Sequence, residues 1–177
     1  MRVDEHTFLF TDLVGFTALT AERGDEHGAE TALAFYARVR ALLPEHGADE
    51  IKTIGDAMML RCSEPARAVR LALRIVRAMD AEPALPPVRV GVHTGPAVGR
   101  EGDWYGTTVN VAARLCSAAG GGEVLVSEAT RDAATRLPRI ALGERRLHWL
   151  KNVSRPVAAH VARERSCPLP ILKEVAA

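Results

Sequence analysis

Two aspartates stand at points where the chain changes direction. Asp12 follows a short β-prone run, and residues 15–17 (Gly-Phe-Thr) then begin a helical stretch, while Asp56 follows Gly55 at a predicted turn. The start of a helix offers unpaired N–H groups and a positive dipole end, which suit a phosphate. Carboxylates beside such a site favour a divalent cation bridging protein and phosphate, and two together favour a pair of metal ions. Each also has a structural interpretation: Asp12 as a helix cap, and Asp56 as an ordinary turn residue.

Three polar residues elsewhere have types that suit a nucleotide. Asn110 and Arg114 are four residues apart, so they share one face of a predicted helix. An amide and a guanidinium in this arrangement can hold a ribose and a transferring phosphoryl group, although the two residues taken alone slightly favour a solvated polar face. Lys52 lies on the same predicted strand that leads to Asp56, where a lysine is often a solvated edge residue.

Several other chemistries lack their sequence signatures. The chain has no G-x-x-x-x-G-K-[ST] phosphate loop, no G-x-G-x-x-G and no H-E-x-x-H motif. The six histidines are scattered without metal-ligand spacing, and no Ser-His or Cys-His pair can be argued. His93 is expected to pack at a strand end.

The elements expected to position these residues alternate in the order β-α-β-β-α-β. Residues 65–79 have the apolar spacing of an amphipathic helix, and the three glycines 120–122 should end a helix whose buried face includes Val109 and Cys116. The order predicts an α+β fold, with an antiparallel-containing sheet covered by helices on one face. The other expected segments are a strand over 7–11, a helical stretch from Gly15 to Leu43 that ends at Pro44, a hairpin over 49–62, strands over 88–92 and 123–126, a loop over 100–106, a short helix, and closing strands over 144–150 and 156–162.

Length and composition agree with one globular domain. The chain has 177 residues, with 47% hydrophobic and 25% charged, and a formal net charge of +1. The balanced charge gives no sign of nucleic acid or membrane binding, and no apolar run reaches the roughly 18 residues of a membrane span. Three cysteines without C-x-x-C spacing (Cys62, Cys116 and Cys167) and the absence of a signal peptide predict a cytoplasmic protein with reduced thiols. We assign residues 1–162 to the domain and 163–177 to a tail or linker.

Four ordered blocks resemble the catalytic domain of the class III nucleotidyl cyclases, the adenylate and guanylate cyclases. They are residues 10–17 (FTDLVGFT), 51–56 (IKTIGD), 90–96 (VGVHTGP) and 105–114 (YGTTVNVAAR). Each block is modest evidence, but all four in this order are specific, and the resemblance covers about residues 1–162. It is greatest to bacterial adenylate cyclases. It implies a ferredoxin-like core, related to polymerase palm domains, with additional C-terminal strands.

The resemblance also implies roles at the phosphate end of a nucleotide. Asp12 and Asp56 match two metal-binding aspartates for two divalent ions, Mg²⁺ or Mn²⁺, with the Leu13 carbonyl as an extra ligand. Gly15, Phe16 and Thr17 match a phosphate-cradling turn. Lys151 matches a lysine that binds the triphosphate.

At the nucleoside end, Lys52 and Asp103 match a purine-selecting pair, while Asn110 and Arg114 match a ribose-orienting amide and a transition-state arginine. A lysine only donates and a carboxylate only accepts, so the pair suits adenine N1 and N6 and predicts ATP as the substrate. The family works as a dimer in which metal groups and purine groups come from different subunits, so we expect a homodimer with two shared sites. Guanylate cyclase and a catalytically silent nucleotide-binding module remain alternatives; a diguanylate cyclase would carry a Gly-Gly-acid-Glu-Phe turn, which is absent.

Overall fold

The computed structural model describes residues 4–165, which form an eight-stranded mixed sheet, a separate two-stranded sheet and the helices that pack on the larger sheet. The helices are α1 (Phe16–Arg23), α2 (Asp25–His46), α3 (Pro65–Asp80), α4 (Thr107–Ala118) and α5 (Glu128–Ala133). The strands are β1 (Glu5–Leu13), β2 (Ala48–Ile54), β3 (Ala57–Cys62), β4 (Val88–Pro96), β5 (Val98–Arg100), β6 (Asp103–Tyr105), β7 (Val124–Ser127), β8 (Ile140–Leu142), β9 (Arg146–His148) and β10 (Val157–Glu164).

The sheet order confirms the predicted α+β core. Its strands run β2-β3-β1-β4-β7-β10-β8, and β9 pairs with β10. Each neighbouring pair among the first four strands is antiparallel, because each helical crossover returns the chain to a strand that is not its neighbour. The β4–β7 pair is parallel, and the remaining strands extend the sheet beyond this ferredoxin-like core.

Helices cover both faces of the sheet, which corrects the prediction of one covered face. Leu9 and Leu13 of β1 pack with the core formed by α2 and α3, whereas Phe8 and Phe10 pack with α4. Successive side chains of a strand point to opposite faces, so β1 is apolar on both sides and needs a cover on each.

Gly91 of β4 allows α4 to lie directly on the second face. A Cβ atom there would stand 2.2 Å from the Cys116 nitrogen and 2.6 Å from the Ala112 carbonyl oxygen, both of them backbone atoms. Because backbone atoms cannot move aside as a flexible side-chain end can, the close approach requires glycine. This contact fixes the height of α4 above the strands that carry the aspartates.

The helical stretch after β1 consists of two helices, which corrects both the single helix and its predicted end. Gly24, with φ +91°, separates α1 from α2, since a backbone in that region interrupts a right-handed helix. The second helix continues through Pro44 to His46, and Gly47 (φ +58°) ends it by donating its N–H to the last-turn carbonyls. Pro44 has no backbone N–H and therefore removes one helical hydrogen bond. Because it lies in the last turn of α2, this loss does not stop the helix.

The C-terminal half contains more strand than predicted. The expected loop over 100–106 is a hairpin of β5 and β6, joined by a turn at Glu101 and Gly102 that both have positive φ. Strand β8 was not predicted, and β4 continues to Pro96 because it pairs with β1 along its full length. The last strand reaches Glu164, so the proposed tail would begin two residues inside it; residues 166–177, including Cys167, lie outside the described part.

The predicted hairpin at Gly55-Asp56 and the amphipathic helix after Pro65 are both confirmed. Cys62 and Cys116 are buried free thiols. Among the described residues, none of the helices combines the length and apolar character needed to cross a bilayer.

Candidate active site

The structure brings Asp12 and Asp56 together at one edge of the sheet. Asp12 lies near the end of β1, opposite Ala57 of β3, and Asp56 occupies the turn just before that residue. Burial raises the pKa of the Asp56 carboxyl, and the nearby negative charge of Asp12 raises it further. Two adjacent carboxylates with this mutual repulsion are hard oxygen donors of the kind that Mg²⁺ and Mn²⁺ prefer.

Arg89 of β4 is a site residue that the sequence reasoning missed. It lies opposite Asp12 in the β1–β4 register, and its Nε is 2.7 Å from Asp12 Oδ2. Its Nη2 donates to the same oxygen, and its Nη1 donates to the Ser117 carbonyl of α4 at 3.1 Å. The sequence does show that Arg89 alternates with the apolar residues Val88 and Val90, so its side chain should point away from theirs. The β1–β4 register then places Arg89 on the same face as Asp12.

Residues 15–17, the turn that was expected to bind phosphate, lie at the start of α1. Gly15 takes φ +79° and precedes the first residue of α1, and no side chain caps this helix end. The N–H groups of Phe16 and Thr17 therefore remain available at a positive helix terminus, a few residues after Asp12. Leu13, whose carbonyl was the expected extra metal ligand, is buried and lies opposite Val88.

Lys52 and Asp103 form an ion pair, with Nζ 2.5 Å from Oδ2. The other carboxylate oxygen of Asp103 accepts a hydrogen bond from its neighbour's backbone N–H, Trp104, at 2.8 Å. Hydrogen bonding from Lys52 lowers the pKa of the Asp103 carboxyl. A bulge in β2 between Glu50 and Lys52 shifts the register there, and bulges often re-aim side chains in this way.

Asn110 and Arg114 lie on the exposed face of α4, as their spacing predicts. The opposite face of the helix is buried through Val109, Ala112 and Cys116. Within residues 4–165, neither side chain hydrogen-bonds to the aspartates. A groove of about 200 Å³ separates α4 from the ends of β1 and β3; it is lined by Phe10, Thr11, Asp12, Ile54, Ala57, Ala113, Cys116 and Ser117.

Lys151 is exposed in the turn between β9 and β10, just after the buried Leu150. No hydrogen bond in the described part of the chain joins it to the aspartates or to the Lys52–Asp103 pair. The predicted residues thus form separate groups in one chain: the aspartates with Arg89, the Lys52–Asp103 pair, the face of α4, and Lys151.

A partly buried histidine–serine contact was not expected from the sequence. His93 Nδ1 lies 2.7 Å from Ser127 Oγ, inside β4 and not at a strand end, and burial lowers the pKa of this histidine to about 4. Ser127 is fully buried and caps α5 by accepting the Thr130 N–H at 3.2 Å. These contacts indicate a structural polar network and not a nucleophile, because a substrate has no access to the serine.

Comparison with known proteins identifies the family of the chain. The family model described as the adenylate and guanylate cyclase catalytic domain matches residues 1–148. The chain is 41% identical over 135 residues to a pH-sensitive adenylate cyclase of Mycobacterium tuberculosis, covering 75% of this chain and 33% of that protein. It is 38% identical over 120 residues to an adenylate cyclase of Streptomyces griseus, covering 68% and 30%. The chain therefore spans about a third of the length of these curated relatives.

Solved structures share the fold. A Trypanosoma brucei adenylate cyclase in its monomeric state matches with a TM-score of 0.80 at 24% identity, covering 90% of each chain. The guanylate cyclase domain of RhGC from Catenaria anguillulae, solved with GTP, matches with a TM-score of 0.81 at 22% identity, covering 93% of this chain and 98% of that one. With its family-model match, its bacterial relatives and the paired aspartates at the sheet edge, the chain belongs to the adenylate and guanylate cyclase catalytic domain family.

Proposed function

We propose that the chain is an adenylate cyclase domain that converts ATP to 3′,5′-cyclic AMP and pyrophosphate. The observation that carries the choice of ATP is the contact between Lys52 and Asp103, which join a donor-only group to an acceptor-only group. The bacterial relatives named adenylate cyclase support the same activity.

The pair discriminates between purines through hydrogen-bond complementarity. Adenine offers an acceptor at N1 and a donor amine at N6, which match Lys52 and Asp103. Guanine offers N1–H and O6 in the corresponding positions, so it would meet a donor with its donor and an acceptor with its acceptor. A polar group left unpaired costs roughly 1–3 kcal/mol, and two mismatches favour ATP strongly.

The carboxylates of Asp12 and Asp56 fit two divalent cations, Mg²⁺ or Mn²⁺, with the Leu13 carbonyl as a further ligand. Bound cations would lower the pKa of the ribose 3′-hydroxyl and neutralise phosphate charge. Burial is the main cause of the raised pKa of Asp56, and the negative charge of Asp12 adds to it; a bound cation would balance that second contribution.

The remaining residues bind and orient the substrate. The N–H groups of Phe16 and Thr17 donate hydrogen bonds to a phosphate at the start of α1. The Arg89 guanidinium, already beside the carboxylates, can donate to phosphate oxygens once a cation replaces it as the partner of Asp12. Lys151 binds the triphosphate as a point charge.

Asn110 and Arg114 act on the reacting part of the nucleotide. Asn110 orients the ribose so that its 3′-oxygen faces the α-phosphorus. Arg114 stabilises the negative charge on the α-phosphoryl group as the 3′-oxygen bonds to phosphorus and the bond to pyrophosphate breaks.

We propose that two copies of the chain share each site. The aspartates of one subunit would face the Lys52–Asp103 pair and the exposed α4 face of the other. In support, Lys52 and Asp56 are only four residues apart, yet Lys52 pairs with the β5–β6 hairpin while Asp56 contacts Asp12. The exposed polar face of α4 is free to meet a nucleotide held by a second copy.

The proposal is tested by incubating the protein with ATP and Mn²⁺ or Mg²⁺ over a range of protein concentrations and separating the products by chromatography. We expect cyclic AMP and pyrophosphate in equal amounts, and none from Asp56→Ala. Nucleotide binding without product at every concentration, with either metal, would instead assign the chain to the silent nucleotide-binding modules.

A further inference from the structure

A second pocket lies on the α3 side of the molecule and shares no lining residue with the candidate active site. Its volume is about 370 Å³, and it lies between the end of α2, one face of α3 and the strands β8 and β10. It is lined by Glu45, His46, Arg70, Leu73, Arg74, Arg77, Pro138, Arg139, Ile140, Glu164 and Arg165. This volume falls within the usual range of small-molecule sites.

The pocket is strongly basic. Five arginines and two glutamates line it, which leaves three net positive charges before any contribution from histidine. Only Arg77 among these arginines has an ion pair within residues 4–165, with Glu164 at 3.3 Å. Like charges gathered around one cavity repel each other, so an anion inside the cavity would relieve that repulsion.

Two parts of the chain place these arginines around the pocket: α3 on one side, and the segments before β8 and after β10 on the other. Arg70, Arg74 and Arg77 follow one face of α3 at helical spacing, so their side chains point the same way. Arg139 has φ +60°, a backbone region that arginine rarely adopts, and its carbonyl accepts the Arg165 N–H at 2.7 Å. That hydrogen bond places the two arginines side by side across from α3.

The floor of the pocket is apolar. Leu73 and Ile140 are almost completely buried and belong to the main core. An apolar floor with converging charged groups is typical of a ligand site, in contrast to a fully solvated basic face.

We propose that this pocket binds the phosphate chain of a small molecule, at a site separate from the catalytic one. Guanidinium groups bind phosphate through paired hydrogen bonds, and a di- or triphosphate carries enough oxygens and charge to engage several arginines at once. A single carboxylate would leave most of the positive charge unbalanced.

The α3 wall of the pocket also belongs to the core beneath the candidate active site. The buried face of this helix, including Val69 and Val76, packs with residues of β1 and β4, which carry Asp12 and Arg89. A ligand that bridges α3 to β8 and β10 therefore stabilises the same core that positions the carboxylates.

Calorimetric titration of the full chain with tripolyphosphate, in the presence of a chelator, tests the site. We compare the unaltered protein with the Arg70→Ala/Arg74→Ala variant and with Arg155→Ala, an exposed arginine outside the pocket. We expect binding by the first and third proteins and at least tenfold weaker binding by the double variant, a difference of about 1.4 kcal/mol. Equal affinities in all three proteins, or no binding by the unaltered one, would overturn the proposal.

Further measurements distinguish recognition of a phosphate chain from the general attraction of any anion to positive charge. The Arg70→Lys/Arg74→Lys variant keeps the positive charge but lacks the paired guanidinium donors, so it should bind tripolyphosphate with intermediate affinity. Its melting temperature, compared with that of the unaltered protein, shows whether it is folded. Sulfate at matched ionic strength should bind much more weakly than tripolyphosphate; equal binding of the two anions contradicts a site for a phosphate chain. ATP in place of tripolyphosphate, with the same loss in the double variant, would identify a nucleotide as an accepted carrier of that chain.

Discussion

Lys52 Nζ lies 2.5 Å from Asp103 Oδ2, although the two residues are 51 positions apart in sequence. The contact joins β2 to the β5–β6 hairpin, so a strand edge and a short ribbon together present one donor and one acceptor. The proposed choice of ATP over GTP depends on this pair.

Reversing the charge at Lys52 tests that dependence. In Lys52→Glu the residue that meets purine N1 becomes an acceptor, which removes the match to adenine and favours the N1–H of guanine. We expect the ratio of kcat/KM for ATP to that for GTP to fall by roughly 5- to 150-fold, since one mismatch costs roughly 1–3 kcal/mol. Lys151→Ala is the control, because loss of the proposed triphosphate contact should weaken the binding of ATP and GTP equally. An unchanged ratio in Lys52→Glu refutes the purine assignment.

Removing Arg89 should shift the pH dependence of activity. The charge of Arg89 lowers the pKa of Asp56, against the raising effects of burial and of Asp12. Without it the carboxyl pKa rises, so protonation begins at higher pH and the acid limb of the kcat/KM profile moves to higher pH in Arg89→Ala. Arg89→Lys keeps the charge and should leave that limb near its original position, with reduced activity from the lost paired donors. An unmoved acid limb in Arg89→Ala would show that Arg89 does not act on the carboxylates.

Mixing two inactive variants tests whether the sites are shared. Asp56→Ala lacks a proposed metal ligand and Arg114→Ala lacks the proposed transition-state arginine, so each homodimer should be inactive. In a mixed dimer one of the two sites combines an intact Asp56 with an intact Arg114. Random exchange makes half of the dimers mixed, so about a quarter of the unaltered activity should return. Each variant mixed with itself is the control, and no recovery after exchange contradicts sites built from two chains.

His93 should make the fold sensitive to mild acid. Burial lowers its pKa in the folded state from 6.5 to about 4, so the unfolded chain binds a proton first as the pH falls. The stability that depends on neutral His93 is present above pH 6.5 and is lost between there and about pH 4, with a loss of about 2 kcal/mol by pH 5. Urea unfolding at pH 7.5 and pH 5 measures it. His93→Asn retains a polar group near Ser127 and should show a smaller acid loss; an equal loss in both proteins would rule out His93 as the cause.

The sequence predicts much of the core because its signals are local. Residues close together in sequence determine the apolar spacing of the amphipathic helix after Pro65, the turn at Gly55-Asp56 and the order of elements. The structure confirms all three. The covered second face was missed, although Phe8 and Phe10 alternate with Leu9, because no local signal says which helix packs on them. The hairpin of β5 and β6 was missed because strands of three residues give too little periodicity to recognise.

The site follows the same division. The motif blocks contain Asp12, Asp56, Asn110 and Arg114, and the antiparallel register explains how two aspartates that are distant in sequence meet. Arg89 stands just outside its block, and only the pairing of β4 with β1 places it beside Asp12. Likewise the contact of His93 with Ser127 depends on the parallel pairing of β4 and β7, which no single segment encodes.

The most direct measurement supplies ATP and GTP together at equal concentration, with Mn²⁺, and quantifies cyclic AMP and cyclic GMP from the same reaction. Competition reports the ratio of kcat/KM values without separate protein standards. We predict that cyclic AMP predominates by tenfold or more and that neither product forms with Asp56→Ala. Equal amounts of the two products, or an excess of cyclic GMP, would contradict an adenylate cyclase that reads its base through Lys52 and Asp103.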